Sequence, residues 1–368
     1  MSEPYIDQGI IPGIGFVSGA PSFVPEFIQS PPGGTATSNC LWVSVSGSDA
    51  NSGTMNAPLA TLQGGLTKRA TLPSSQLITI YILPGSYSSL SALAVPDNTA
   101  LVGIPAGSAT QYLVFPGEPV YTGSPITFSG LITLGSQTVL NSTIFLSGLN
   151  IEGEVRIIHS YATVFFYCCN IDNRNSAVSL YSGTALTIGP NAYCYIDTCS
   201  INSSQFLYPV INSSGITLSI TNSQIYAYYA GTSTQACAPV ILTSSIGFSL
   251  TKSSVTSNYD SVNNTAPLIQ TVYSSQGNID AEILYTTLKY TSAAVDADST
   301  NLKVCFYVSG GANVNLKIRN CALLQPGGNA NVILSSASTL AVTSGGNFAL
   351  SGKSSISANS NTALVNVA

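Results

Sequence analysis

Charge is what this sequence has least of. Only 7% of its 368 residues are Asp, Glu, Lys or Arg, against about 25% in an ordinary soluble domain. Ten Lys and Arg face 15 Asp and Glu, a formal net charge of −5. No basic stripe can form to neutralise a phosphate backbone, which excludes nucleic acid as a partner. The single histidine, His159, argues against His-based metal centres and Ser-His-Asp chemistry. No run approaches the roughly 18 unbroken apolar residues of a membrane span. The opening segment has neither the basic start nor the apolar core of a secretory signal. Phosphate-binding Gly loops, a nucleophile elbow and HExxH are missing too. No cofactor or metal is therefore expected. The eight cysteines form no CxxC pair and read as reduced, buried thiols acting as small hydrophobes.

What is present is 45% hydrophobic residues interleaved with Ser, Thr, Asn and Gly. Residues 1–38 stand apart. Pro4, Pro12, Pro21, Pro25, Pro31 and Pro32, closed by Gly33 and Gly34, rule out a central strand or a long helix. Scattered Ile, Phe and Val argue against an inert linker. The segment reads as an extended arm that docks on a neighbour, the alternative being a strap across its own domain. From Leu41 the pattern is regular. Trp42 to Ser46 alternates as a strand does, and Leu59, Leu62 and Leu66 have the spacing of one short helix near residues 58–70. Ile78 to Leu83 and Thr99 to Ile104 read as further strands.

In order, W-V-S-V-S-G-S-D-A-N-S-G-T, A-P-L-A-T-L-Q-G-G-L, I-Y-I-L-P-G-S-Y and V-P-D-N-T-A-L-V-G-I resemble the opening of right-handed parallel β-helix proteins of the pectin-lyase-like superfamily. That resemblance implies an all-β, three-sided solenoid whose short helix caps its N-terminal end. The superfamily holds polysaccharide lyases, hydrolases, esterases, phage tailspikes and viral structural proteins.

A repeat follows from Val139 onward: an apolar residue, four positions, a second apolar residue, with a small residue two before the second. The second apolar positions are Ile144, Ile171, Ile201, Ile225, Val255, Leu288 and Leu323. The small residues are Ser142, Cys169, Cys199, Ser223, Ser253, Thr286 and Cys321, expected to form one interior ladder. Pro209, Pro239 and Pro267 each precede an apolar strand at similar phase, with Gly215, Gly247 and Gly277 behind. The organisation reads as an arm (1–38), cap and first coils (39–115), coils (116–335), and a degenerate last coil with C-terminal cap (336–368).

Chemistry is thin. In this register the outward column reads Phe145, Asp172, Asn202, Tyr226, Thr256, Lys289, Leu324. Asp172 with Arg174 is the acid–base pair of one coil, and Asp197 lies in the next coil at another phase. These three are the catalytic candidates, read chiefly as surface groups, since the common glycosidase plan needs two facing carboxylates. Glu152, Glu154 and Arg156 read as one solvated strand face and His159 as structural. Tyr226 and Tyr228, with Asn202, are the candidate ligand-binding residues because aromatic faces suit sugars. The expectation is a non-enzymatic structural protein of a virus particle. It would be located in the virion, bound to other virion or capsid proteins through its arm, and the resemblance to β-helix spikes implies a homotrimer. The alternatives are a polysaccharide lyase, glycoside hydrolase or tailspike-type depolymerase, or a glycan-binding module; the alternative location is inside the cell or at its surface, reached without a signal peptide.

Overall fold

In the computed structural model, three parallel sheets of 12, 10 and 10 strands wind into a parallel β-helix. The described residues are 14–15, 24–25, 39–88, 92–104, 126–135, 142–158, 161–173, 183–204, 208–229, 239–259, 268–274, 278–292, 302–308, 313–324, 330–335, 339–350, 356–358 and 365–366. Each coil contributes a strand to the first, second and third sheet in turn, and each strand pairs in parallel with the same strand of the coils before and after. Of the arm, Ile14–Gly15 and Val24–Pro25 pair antiparallel as a separate ribbon.

Stacking at about 4.8 Å per coil puts equivalent residues in files. Inward files are aliphatic and aromatic. In the first sheet Leu146, Phe166, Ile196, Ile220, Leu250 and Ile283 follow one another. In the second, Ile151, Ile171, Ile201, Ile225, Val255 and Leu288 do so. All twelve are essentially inaccessible to water. β-Branched and aromatic side chains suit such rows because each packs on its own kind above and below.

The corner between the first and second sheets explains the small residues. Cys168, Thr198, Asn222, Lys252, Tyr285 and Asn320 sit at φ between 48° and 54°, a left-handed step that turns the chain in one residue. The next residue points inward. Its backbone N–H donates to the corresponding side chain one coil on: Cys169 to Cys199 Sγ (3.4 Å), Cys199 to Ser223 Oγ (3.0 Å), Ser223 to Ser253 Oγ (3.1 Å), Ser253 to Thr286 Oγ1 (3.4 Å). Each of these side chains also donates to the carbonyl two residues before it, as Ser223 Oγ does to Thr221 (2.7 Å). The position therefore requires a compact side chain that both donates and accepts, which Ser, Thr and Cys provide. Cys40, Cys168, Cys169, Cys194, Cys199 and Cys321 carry free thiols. Burial pushes the Cys194 and Cys199 thiols up.

Six of the seven predicted ladder residues occupy this file, and Ser142 does not. Ser142 precedes Thr143, which pairs with Thr163, itself paired with Tyr193, so Ser142 shares a file with Ala162 and Ala192 at a different corner. Its place is held by Leu149, after Gly148 at φ 65°. The reason is steric. Gly148 reaches the left-handed region without strain and lies against Gly103 of the preceding strand, where an added Cβ would stand 3.0 Å from the Gly103 carbonyl oxygen. The first interval is thus the 20 residues from Ile151 to Ile171. The proline phase also corrects. Ile211 pairs with Ile241 as expected, but Ile241 pairs with Val272 rather than Ile269. The glycines are likewise out of register, since Gly247 pairs with Thr217.

The single described helix, α1 (Leu62–Ala70), closes the N-terminal end. Asp49 holds its start, accepting from the backbone N–H of Ala60 and Thr61 and from Thr61 Oγ1 (2.9, 2.9 and 2.7 Å). Gly64 makes room, because a Cβ there would meet Asp49 Oδ1 at 2.2 Å. Arg69, 1% exposed, donates to the carbonyls of Leu72, Pro73, Gln76, Asp97 and Asn98 and to Thr99 Oγ1. Trp42 belongs to strand Cys40–Val43, which ends before the predicted Ser46 and leaves Val45 exposed. At the other end Thr339–Gly345, Phe348–Leu350, Ile356–Ala358 and Val365–Asn366 continue the three sheets.

Candidate functional site

Two outward surfaces carry the candidate residues. On the second sheet, register brings Asp172, Asn202, Tyr226, Thr256 and Lys289 into one row. Because Ile151 pairs with Ile171, the row continues to Glu152, not to the predicted Phe145, and then to Ser129. Glu152 and Asp172 are therefore neighbours in adjacent coils, a pairing that sequence reasoning missed. The signal was there: Ser147 to Glu152 (S-G-L-N-I-E) matches Tyr167 to Asp172 (Y-C-C-N-I-D) once Leu is allowed at the corner. Glu152 Oε2 accepts from Ser129 Oγ (3.0 Å).

Neutral amides run alongside. Asn150 Nδ2 donates to Thr127 Oγ1 (3.2 Å) and Asn170 Nδ2 to Asn150 Oδ1 (2.6 Å). Asn202 Nδ2 donates to Asn170 Oδ1 (3.3 Å) and Ser200 Oγ (3.0 Å). Asn258 Nδ2 donates to Tyr226 Oη (2.7 Å) and pairs in register with Tyr228. Asn202, Tyr226 and Tyr228 thus share one face, and each is already engaged. Arg174 and His159 lie outside the described residues.

Glu154 and Arg156 correct a further expectation. The chain turns at Gly153, so Glu154 is buried, 1% exposed, instead of standing on a solvated face. Arg156 grips it with two bonds of 2.7 and 2.9 Å, and Thr187 Oγ1 adds a third at 3.2 Å. A buried carboxylate persists only with such partners.

Asp197 is elsewhere. It ends strand Tyr193–Asp197 of the first sheet, and the corner at Thr198 and Cys199 separates that face from the one holding Asp172. The outer face of the first sheet is aromatic over its early coils. Trp42, Tyr81, Ala100, Val102, Phe145 and Phe165 form a buried cluster distinct from the interior, with Tyr167 and Tyr195 packed against it. Ring centroids lie 4.7 Å apart for Trp42–Tyr81, 6.5 Å for Phe145–Phe165 and 5.1 Å for the stacked Phe165–Tyr195 pair. After Tyr195 the file steps down to Ser219 and Ser249, joined Oγ to Oγ at 2.8 Å.

At that step opens a cleft of about 130 Å³ lined by Phe165, Tyr167, Tyr195, Asp197, Ser219 and Thr221, among others. Asp197 Oδ1 accepts from Thr198 Oγ1 (3.1 Å) and Asn222 Nδ2 (3.0 Å). Desolvation outweighs these bonds and pushes its carboxyl above the usual range. Burial likewise raises the Tyr195 and Tyr167 hydroxyls, the latter helped by Cys168. Among the described residues no three His, Cys, Asp or Glu side chains converge as a metal site, and no helix is long and apolar enough to cross a membrane.

No protein-family model and no curated protein matches the chain. Solved structures do. The ORF18 protein of Geobacillus virus E2 matches at 13% identity and TM-score 0.32, over 74% of this chain and 53% of that one. The chain thus spans about half the length of that viral protein. A GH136 lacto-N-biosidase from Eubacterium ramulus matches at 10% identity and TM-score 0.35, over 85% of this chain and 68% of its own. A rhamnogalacturonan lyase matches at 11% and 0.23, over 82% and 74%. Identities this low leave function to the residues themselves.

Proposed function

We propose that the protein is a non-enzymatic structural component of a virus particle, a stiff rod tied to a neighbouring virion protein by its arm, residues 1–38. The observation that carries this reading is the hydrogen-bonded row Thr127, Asn150, Asn170, Asn202. Its amides brace one coil against the next, which stiffens the side of the rod without adding charge. The scarcity of charge, 7% of residues, suits surfaces that lose water on assembly. Asp172 and Asp197, the acids marked as catalytic candidates, face different ways. The test is recovery of the protein from purified particles, with and without residues 1–34. Full-length chain in the particle and truncated chain outside it is the expected result; equal incorporation contradicts the role of the arm. Sedimentation of the free protein tests the homotrimer.

A second reading, a polysaccharide-cleaving enzyme, draws on Glu152 and Asp172 as row neighbours. Adjacent coils lie about 4.8 Å apart, close to the roughly 5–5.5 Å between the two carboxyls of a retaining glycosidase. New reducing ends or unsaturated uronates on a polysaccharide panel, abolished by Glu152→Gln or Asp172→Asn, establish this reading in place of the first.

A further inference from the structure

We propose that the arm of a second copy of this chain docks through residues 2–7 on the exposed corner formed by Lys252, Tyr285 and Arg319, which rests on the reading of residues 1–38 as a docking arm. The corner comes first. Lys252 and Tyr285 hold the left-handed step between the first and second sheets in successive coils, at φ 48° and 52°. Thr251, Leu284 and Arg319 pair in register just before that step. A cation, a ring and a second cation therefore follow one another along the rod. Lys252 and Arg319 stand two coils apart, roughly 10 Å at about 4.8 Å per coil. Tyr285 is the most exposed of the large apolar side chains described, at 59%, and Lys252 and Arg319 are exposed as well. Neither cation has an acidic partner among the described residues. Of the nearby acids, Glu282 is bonded to Lys317, and Asp280 accepts from Asn315 Nδ2 (3.4 Å).

The complement of this corner is a segment that is acidic, extended and able to cover a ring. The arm meets all three conditions. It carries Glu3, Asp7 and Glu26 and no Lys or Arg, the first cation of the chain being Lys68. In S-E-P-Y-I-D two acids flank Pro4, Tyr5 and Ile6, the counterpart of a ring flanked by two cations. Extended proline segments dock on aromatic faces, and the residue before a proline is steered away from helix. At about 3.1 Å per residue, an extended segment sets Glu3 and Asp7 about 12 Å apart. The long side chains of Lys252 and Arg319 span the small difference. Glu26 has no second acid beside it and lacks this match. The fold of the chain itself leaves Tyr285 59% exposed, so the occupant comes from another molecule. An arm of one copy held on a different surface of the next makes a heterologous contact, which closes into a ring or runs on as a chain.

Two measurements on the full chain test this. Sedimentation equilibrium should show self-association that weakens as salt rises toward roughly 1 M, where the screening length is about 3 Å. Lys252→Glu with Arg319→Glu should weaken it about tenfold or more, and so should Glu3→Lys with Asp7→Lys, because each reversal sets like charges opposite one another. Joining all these substitutions in one chain should restore association, an outcome that mere loss of fold cannot give. The second measurement puts the photo-reactive benzoylphenylalanine in place of Tyr285, in an equal mixture of isotope-labelled and unlabelled chains. Cross-linked peptides should join that position to residues 2–7 and include pairs of one labelled and one unlabelled partner. Pairs confined to one label assign the arm to its own rod and overturn the proposal. So do cross-links to other segments only, a chain that stays monomeric, or joined substitutions that fail to restore association. The docking-arm reading fails separately, by equal incorporation of full-length and truncated chain into particles. Lost incorporation with no arm captured at Tyr285 keeps that reading and moves the arm's partner to another virion protein.

Discussion

Ser223 serves two coils at once. Its Oγ accepts the Cys199 N–H at 3.0 Å and donates to the Thr221 carbonyl at 2.7 Å, 1% exposed. Ser223→Ala leaves both groups buried without that partner, so denaturant unfolding should show a loss of about 1–3 kcal/mol. Ser223→Cys should lose less, because thiols already fill this position in the neighbouring coil. Ser257 is the opposite case: its buried Oγ has no partner among the described residues. Ser257→Ala removes an uncompensated desolvation and should hold or raise stability by up to about 1 kcal/mol. A drop would reveal a partner for that hydroxyl. This contrast shows what a sequence discloses at residue scale. The corner file was readable because its geometry admits few side chains. Leu149 was unreadable as its member, since a two-residue Gly-Leu corner solves the same turn with different chemistry. That single slip also hid Glu152 beside Asp172.

At the scale of elements, the N-terminal cap is held by two side chains rather than by helix propensity. α1 is nine residues long with two glycines, too short to persist alone. Desolvation would raise the Asp49 carboxyl, but hydrogen bonds from Thr61 and Ala60 win and hold it below its usual value of 3.8. A depressed folded-state pKa gives stability that is present above the unfolded value and lost as pH falls through the folded one. The cap should therefore loosen below about pH 4, read as faster amide exchange in residues 60–70. Asp49→Asn should remove the contribution of this residue to that pH dependence; an unchanged profile would assign it to other carboxyls. Arg69 is the stronger tie, with six acceptors around a buried guanidinium. Arg69→Met strands those carbonyls and should cost several kcal/mol, about 3–5 by analogy with breaking a buried charged network. Arg69→Lys cannot reach them all and should restore little. The G-S-D and Q-G-G-L segments carried the resemblance in the sequence. Their physical content, an acid clamped against a glycine, needed coordinates.

Across the whole molecule, each coil touches only its neighbours, so stability is close to a sum of nearest-neighbour terms and an uncovered end unzips first. The three-sided winding was legible through the resemblance of the opening segments, and the succession of coils through period and patterning. What lies over the outward files was not, because residue spacing says nothing of it. Trp42 is the chain's one tryptophan, and it sits outside the interior, 4% exposed, its ring tilted 30° against that of Tyr81 at 4.7 Å. Its fluorescence therefore reports on the outer face of the first sheet without further labelling. A docking arm and a strap differ in what removal of residues 1–34 does to that signal. If the arm belongs to a neighbour's surface, the truncated protein keeps its melting temperature and its blue-shifted Trp42 emission, and loses only its place in the particle. If the arm covers its own sheet, truncation opens the cluster of Trp42, Tyr81, Phe145 and Phe165 to water. The emission then shifts to the red and the melting temperature falls. The proposed function expects the first outcome, and a red shift reassigns residues 1–34 from assembly to the stability of the rod itself.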